Sequence, residues 1–129
     1  MSRIAHVNGR YLSHGAAAVH IQDRGYQFAD GVYEAIAVRN RVLVDGEWHM
    51  QRSLAELRIR LPMALAALDV VLHETARRNR FREGIVYLQV SRGVARRDHP
   101  FPKPIFAGTA GTSNPSRYCQ TFSLNRWRG

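Results

Sequence analysis

Cysteine, lysine and long apolar runs are scarce in this sequence of 129 residues, which has one cysteine, Cys119, and one lysine, Lys103. A single cysteine cannot form an internal disulfide and is compatible with a reducing compartment. No apolar run is long enough to cross a bilayer, so we expect no membrane partner. The first residues lack the apolar stretch of a signal peptide, and we therefore expect a cytoplasmic location.

Arginine supplies nearly all of the formal net charge of +9. A small basic protein is a candidate for nucleic-acid binding. The arginines are scattered, however, and the four between residues 77 and 82 close a predicted helix, where cations suit the negative end of its dipole. No aromatic and basic residues interleave along one strand, as a base-stacking surface requires. A basic nucleic-acid-binding module is therefore the minor alternative, and a plain interaction domain is another.

Short apolar runs bounded by turn residues predict strands. Asn8-Gly9 is a signal for a type I′ turn, so we expect the chain to begin with a hairpin. Ile85 to Val90 has apolar residues on both faces, which suits a buried central strand. The predicted strands are Ile4 to Val7, Arg10 to Leu12, Tyr33 to Arg39, Arg41 to Val44 and Ile85 to Val90.

Leucines at helical spacing predict two helices between the fourth and fifth of these strands. The first runs from His49 to Arg60 and is broken by Pro62. The second begins near Leu65 and ends near Gly84. Strands, two helices and then a strand predict an α+β layer.

Residues 23 to 34 read Asp-Arg-Gly-Tyr-Gln-Phe-Ala-Asp-Gly-Val-Tyr-Glu and concentrate glycine, aromatic and charged residues. This pattern is typical of a shaped turn that feeds a strand. An ordinary loop would explain the two glycines as positions of positive φ and the two aspartates as local caps. It would not explain Tyr33 and Glu34 at the start of a strand.

Together with the rest of the chain, this segment resembles the signature of the fold-type IV, or class IV, pyridoxal-phosphate-dependent aminotransferases, most closely the D-amino acid aminotransferases. The resemblance runs from about Ile4 to about Lys103. It implies that residues 1–103 form the small N-terminal domain of that fold, an α+β domain with two helices packed on an antiparallel sheet. It also implies amino-group exchange between a D-amino acid and a 2-oxo acid in a homodimer, and hence an exposed apolar face.

The resemblance assigns the substrate's α-carboxylate to a tyrosine and to an Arg-x-His pair, which are here Tyr33, Arg97 and His99. A guanidinium offers paired donors to a carboxylate, while a phenol and an imidazole complete its hydrogen bonding. We expect the three side chains to converge on one spot. The Arg-x-His pair favours D-amino acids, with a branched-chain aminotransferase or an aminodeoxychorismate lyase as alternatives.

The resemblance also assigns the cofactor phosphate to Arg52, in the segment His-Met-Gln-Arg that ends there. Ser53 and Leu54 follow at once, where relatives have about three further residues. Such a loss would rotate the rest of the helix by roughly 60° and shorten it by roughly 4.5 Å, so that either the helix repacks or Arg52 misses the phosphate. Another departure is Ala29, where close relatives commonly have glycine; alanine strains the turn if this position has positive φ.

Transamination requires a lysine that forms a Schiff base with pyridoxal phosphate. Lys103, between Pro102 and Pro104, is the sole lysine. The resemblance places the family's lysine well beyond this point, so we interpret Lys103 as a surface loop residue. We predict that the Schiff-base lysine is absent and that this chain alone neither retains pyridoxal phosphate nor turns over substrate.

Residues 104–129 differ in composition from the rest of the chain. None of the ten acidic residues lies after Asp98, and this stretch is rich in Gly, Ser, Thr, Asn and Arg without a sustained period. The resemblance implies a strand and a linker to a larger domain here, and the sequence suggests neither. We expect an aberrant or disordered tail from a reading frame lost around Pro104, with an ordinary flexible terminus as the alternative.

Overall fold

The computed structural model describes residues 3–44, 47–80, 82–100 and 120–125, without the side chains of residues 47, 48 and 120–125. The strands are β1 (Ile4–Val7), β2 (Arg10–Ser13), β3 (Gly31–Arg39), β4 (Val42–Val44), β5 (Gly84–Ser91) and β6 (Gln120–Asn125). The helices are α1 (Arg24–Phe28), α2 (Glu47–Glu56) and α3 (Leu65–Asn79), and a 3₁₀ turn spans His14–Ala16. No helix within the described ranges combines the length and apolar character needed to cross a membrane.

The strands form one sheet of six in the order β2-β1-β6-β5-β3-β4, and every pairing in it is antiparallel. The predicted first hairpin is confirmed, because Asn8 and Gly9 have φ of 48° and 86°, as a type I′ turn requires. The second hairpin turns at Asn40 and Arg41, with φ of 49° and 68°. Arg41 therefore belongs to the turn, and β4 begins one residue later than predicted.

Helices α2 and α3 pack against one face of the sheet. Their buried side chains and those of this face form a single hydrophobic core. That core contains Ile36, Val38, Met50, Leu54, Ile59, Leu68, Leu72, Ala76, Val86, Leu88 and Val90. Because side chains alternate along a strand, Tyr33 and Gln89 project from the opposite face, which we call the open face. The α+β fold is confirmed. Strand β5 is central as predicted, but one of its faces carries the exposed Gln89.

Both long helices end earlier than their leucine patterns predict. Helix α2 stops at Glu56 because Arg58 adopts φ 54°, and Ile59 N–H then donates to Leu54 O at 2.9 Å. This is a Schellman ending made without glycine. It turns Ile59 into the core before the chain reaches Pro62. Helix α3 ends at Asn79, where Arg80 takes the same left-handed conformation.

Strand β6 was not predicted. It pairs with β5 from Ile85–Asn125 to Val90–Gln120 and with β1 at Val7–Thr121, so it occupies the middle of the sheet. The expectation of no strand after Lys103 is therefore wrong for residues 120–125. The missed signal is a short alternation in which Phe122 and Leu124 lie opposite Leu88 and Val86. Residues 101–119 and 126–129 lie outside the described residues, and the boundary at 103/104 and the lost-frame hypothesis stay predictions.

Ala29 ends helix α1 in the left-handed conformation, with φ 54° and ψ 28°. Residue 29 therefore has the positive φ at which alanine is strained, because an L side chain is disfavoured in this conformation.

We expect Ala29→Gly to raise the free energy of unfolding by about 1 kcal/mol, measured by urea denaturation at constant m value. The matched control is Ala55→Gly, at an exposed position of helix α2, which should lower it by about 0.5–1 kcal/mol. An Ala29→Gly chain that unfolds at a lower urea concentration than the original would contradict strain at this position.

Candidate active site

Asp23 organises the entry to helix α1. Its Oδ1 accepts a hydrogen bond from Gly25 N–H at 2.8 Å, and its Oδ2 accepts one from Ser91 Oγ at 3.0 Å. The expected cap is therefore confirmed. Because Ser91 ends β5, the same carboxylate also attaches the helix to the sheet.

The two glycines of this segment serve close packing, and neither has positive φ. A Cβ on Gly25 would lie 2.8 Å from Ser91 Cβ, and one on Gly31 would lie 2.8 Å from Val90 O. Both distances are shorter than real Cβ contacts. The loop explanation of these glycines is therefore wrong, and they let the segment lie directly on the end of β5.

Asp30 is the centre of a buried ion cluster. Its Oδ2 accepts hydrogen bonds from Arg24 Nε at 2.8 Å and from Arg92 Nε at 2.7 Å. The side chains of Arg24 and Asp30 are only 3% and 7% exposed. Burial alone would raise the pKa of Asp30, but the hydrogen bonds and charges of Arg92 and Arg24 outweigh it and lower that pKa.

Tyr33 lies on the open face, 70% exposed, directly across from Gln89 of strand β5. Cross-strand neighbours in such a pair have Cβ atoms about 5 Å apart, so Tyr33 lies next to Gln89. Gln89 lines a cleft of about 330 Å³. The other lining residues are Ala17, Ala18, Val19, Asp23, Tyr26 and Ser91.

Arg97 and His99 are exposed in the segment that follows β5, which we call the carboxylate loop (residues 92–99). The imidazole of His99 packs edge-on against the ring of Phe28 in α1, with centroids 5.7 Å apart. Among the described residues, no hydrogen bond or ring contact joins Tyr33 to Arg97 or His99. The structure thus places His99 against α1 and Tyr33 on the sheet, and the convergence of Tyr33, Arg97 and His99 stays a prediction.

Arg52 is exposed on helix α2, whose Met50 and Leu54 are buried in the core. Its neighbour Ser53 donates a hydrogen bond to Glu34 Oε1 at 3.3 Å. The helix therefore packs on the face of the sheet opposite Tyr33. The structure does not bring Arg52 and Tyr33 together.

The described residues do not by themselves fit pyridoxal phosphate. The cleft beside Tyr33 has one charged side chain in its lining, the anionic Asp23, and that lining offers no cation to a phosphate. Arg52 lies on the other side of the sheet, and Lys103 lies outside the described ranges. Within those ranges, no group of three or more His, Cys, Asp or Glu side chains could hold a metal ion.

The sequence alone did not indicate that Asp30 and Arg92 form an ion pair beside the candidate site. Asp30 directly precedes β3, and Arg92 directly follows β5. In an antiparallel pair these two strand ends lie side by side, so pairing the two predicted strands would have suggested the ion pair.

The chain is similar in sequence to D-alanine aminotransferases. The enzyme of Bacillus licheniformis is 44% identical over 97 residues, which cover 73% of this chain and 34% of that protein. The enzyme of Staphylococcus haemolyticus is 36% identical over 101 residues, covering 76% and 36%. This chain thus spans about a third of the length of the curated relatives it matches. No family model matches it.

The fold is that of solved aminotransferase structures. The branched-chain aminotransferase of the thermophilic archaeon Thermoproteus uzoniensis, solved with norvaline, superposes with a TM-score of 0.71 at 17% identity. The match covers 99% of this chain and 42% of that one. At this identity the likeness establishes the architecture alone.

Sequence and fold together identify the chain as the N-terminal region of a fold-type IV, or class IV, pyridoxal-phosphate-dependent aminotransferase. This confirms the family and the small-domain fold that residues 23–34 indicated. Within that class, the curated relatives it matches are D-alanine aminotransferases.

The ion cluster gives stability a definite pH dependence. A carboxyl whose folded pKa is lowered contributes stability above its unfolded pKa, about 3.9, and loses it as the pH falls through the folded pKa. We expect Asp30→Asn to be less stable than the original chain by a constant amount from about pH 5 to 7, and that difference to narrow below about pH 4.

Urea unfolding across this pH range measures the difference. Asp98→Asn, at an exposed position of the carboxylate loop, is the control for removing a nearby negative charge. A difference between Asp30→Asn and the original chain that stays constant down to pH values well below 4 would show that Asp30 is not held ionised by its arginines.

Proposed function

We propose that this chain forms the small domain of a D-amino acid aminotransferase. Such an enzyme exchanges an amino group between a D-amino acid and a 2-oxo acid. The proposal rests mainly on the 44% identity to a D-alanine aminotransferase over 97 residues. The ion cluster supports it, because Asp30 directly precedes the strand of Tyr33 and Arg92 begins the loop of Arg97 and His99.

In this proposal Tyr33, Arg97 and His99 bind the substrate's α-carboxylate. The guanidinium of Arg97 donates two parallel hydrogen bonds, and the phenol and imidazole donate the others. All three side chains are exposed and therefore accessible to a small molecule. Binding one carboxylate in this way orients the substrate by its fixed end and leaves its side chain to be selected elsewhere.

We propose that the enzyme acts as a homodimer. Because no contact among the described residues joins Tyr33 to the loop pair within one chain, the pair of one subunit would act beside the tyrosine of the other. Exposed apolar side chains on the cleft side support an interface there, namely Val19, Ile21, Tyr26 and Val94. A tyrosine that becomes buried on association, as Tyr26 would, is typical of stable interfaces.

D-amino acid exchange is favoured over the activities of a branched-chain aminotransferase or an aminodeoxychorismate lyase. The curated relatives with 36% and 44% identity are D-alanine aminotransferases. The branched-chain structure shares 17% of the sequence, which supports architecture and not substrate.

We propose further that the 129-residue chain does not transaminate alone, because its one lysine stands between two prolines and the described residues do not fit the cofactor. After incubation with pyridoxal phosphate and borohydride reduction, peptide mass spectrometry should find no stoichiometric pyridoxyl adduct on Lys103. The enzyme of Bacillus licheniformis, treated in the same way, is the positive control. An adduct at Lys103 together with exchange between D-alanine and a 2-oxo acid would contradict this.

A chimera tests the carboxylate role directly. Residues 4–103, over which the resemblance runs, replace their counterpart in the Bacillus licheniformis enzyme, and D-alanine transamination is measured. Arg97→Lys loses the paired donors, so we expect the KM for D-alanine to rise about 10- to 100-fold with a smaller change in kcat. The matched control is Arg96→Lys, an adjacent exposed arginine with no assigned role.

If Arg96→Lys and Arg97→Lys changed the KM for D-alanine equally, Arg97 would not be a carboxylate-binding residue. A folded chimera that binds pyridoxal phosphate but does not use D-alanine would contradict the proposed function as a whole.

A further inference from the structure

We infer that Asp30 is a positioning residue, which fixes the carboxylate loop relative to helix α1, helix α2 and the start of strand β3. The purpose of that loop rests on the proposed function, whereas the anchor itself rests on the geometry of this chain.

The anchor begins with one carboxylate that joins two arginines. Asp30 Oδ2 accepts from Arg24 Nε at 2.8 Å and from Arg92 Nε at 2.7 Å. The backbone supports the same contact, because Arg92 N–H donates to Asp30 O at 3.0 Å. All three groups are largely buried, so water screens their charges little.

Arg24 reaches from Asp30 to the middle of the Arg-x-His pair. Its Nη1 donates at 2.9 Å to the carbonyl oxygen of Asp98, the residue between Arg97 and His99. Its guanidinium also lies 4.8 Å from the centroid of the Phe28 ring, against which His99 packs. Arg24 therefore contacts the segment of Arg97 and His99 in two ways. It binds the backbone carbonyl of Asp98 directly, and it contacts His99 indirectly through the Phe28 ring.

Arg92 reaches from Asp30 in the other direction, to the end of helix α2. Its Nη2 donates to Leu57 O at 2.8 Å and its Nη1 to Arg58 O at 3.3 Å. A cation at these carbonyls satisfies groups that the helix leaves unpaired and suits its dipole. The charge of Asp30 thus connects the helix of Arg52 with the loop of Arg97.

The first part of the carboxylate loop has other attachments. Gly93 O accepts from Arg24 N–H at 2.9 Å, and Ala95 N–H donates to Gln22 O at 3.3 Å. Beyond Ala95, the described contacts of the loop are those made by Arg24 and Phe28. Loss of the Asp30 charge leaves two buried cations facing each other, and it should release residues 96–99 before residues 92–95.

Limited trypsin digestion of the full 129-residue chain tests this without substrate or cofactor. The rate of cleavage after Arg96 reports opening of the loop, and cleavage after Arg77 and Arg78 of helix α3 reports global unfolding. We expect Asp30→Asn to raise the rate after Arg96 about tenfold more than it raises the rates in α3, which rise only with the loss of global stability.

Glu74→Gln is the matched control. Glu74 also accepts hydrogen bonds from two arginines, Arg77 and Arg78, but on the exposed side of α3 away from the loop. We expect it to leave cleavage after Arg96 unchanged.

If Asp30→Asn does not fold, the Arg24→Lys variant tests the same inference. Lysine keeps a cation beside Asp30 but cannot also donate to Asp98 O in the same geometry, so cleavage after Arg96 should again rise more than cleavage in α3. An unchanged rate after Arg96 would overturn the inference, as would a rise in α3 by the same factor. The test uses no amino acid, so a chimera inactive toward D-alanine would overturn the proposed function and leave this anchor standing.

Discussion

Two largely buried arginines share one carboxylate oxygen of Asp30, and the arrangement of the candidate site depends on that contact. Burying charge is costly unless each donor finds an acceptor. Arg24 and Arg92 find theirs on backbone carbonyls of the carboxylate loop and of the end of α2. The need to satisfy two guanidinium groups around one anion therefore brings four parts of the chain together: helix α1, the start of β3, the end of α2 and the carboxylate loop.

The sheet separates the groups that the family resemblance assigns to one site. Its helix-covered face holds the hydrophobic core and carries α2 with Arg52, while its open face carries Tyr33 beside the cleft. A substrate carboxylate and a cofactor phosphate would thus be contacted from different sides of this domain. In the proposed function, a second subunit would complete such a site.

Local signals made much of the fold predictable. Asn8-Gly9 located the first hairpin, and the leucine spacing located both long helices. The helix ends were missed because Arg58 and Arg80 adopt the left-handed conformation that glycine usually supplies. Strand β6 was missed because its pairing partners, rather than its composition, define it.

The residues of the candidate site stay predictions, and their geometry could not be derived from the sequence. Tyr33, Arg97 and His99 came from resemblance, and the structure does not place them in contact within one chain. For Asp30 the sequence suggested only the local cap of an ordinary loop, because its partner Arg92 lies 62 residues away, beyond any local pattern. An interaction between distant charges becomes visible only when the strand pairing is known.

The most direct measurement is the nuclear Overhauser effect between the ring protons of Phe28 and His99, recorded for the 129-residue chain and for its Asp30→Asn variant. We expect a cross-peak in the original chain, since the ring centroids are 5.7 Å apart, and its loss in the variant while the β3–β5 cross-peaks persist. A cross-peak of equal strength in both chains would contradict the central role of Asp30.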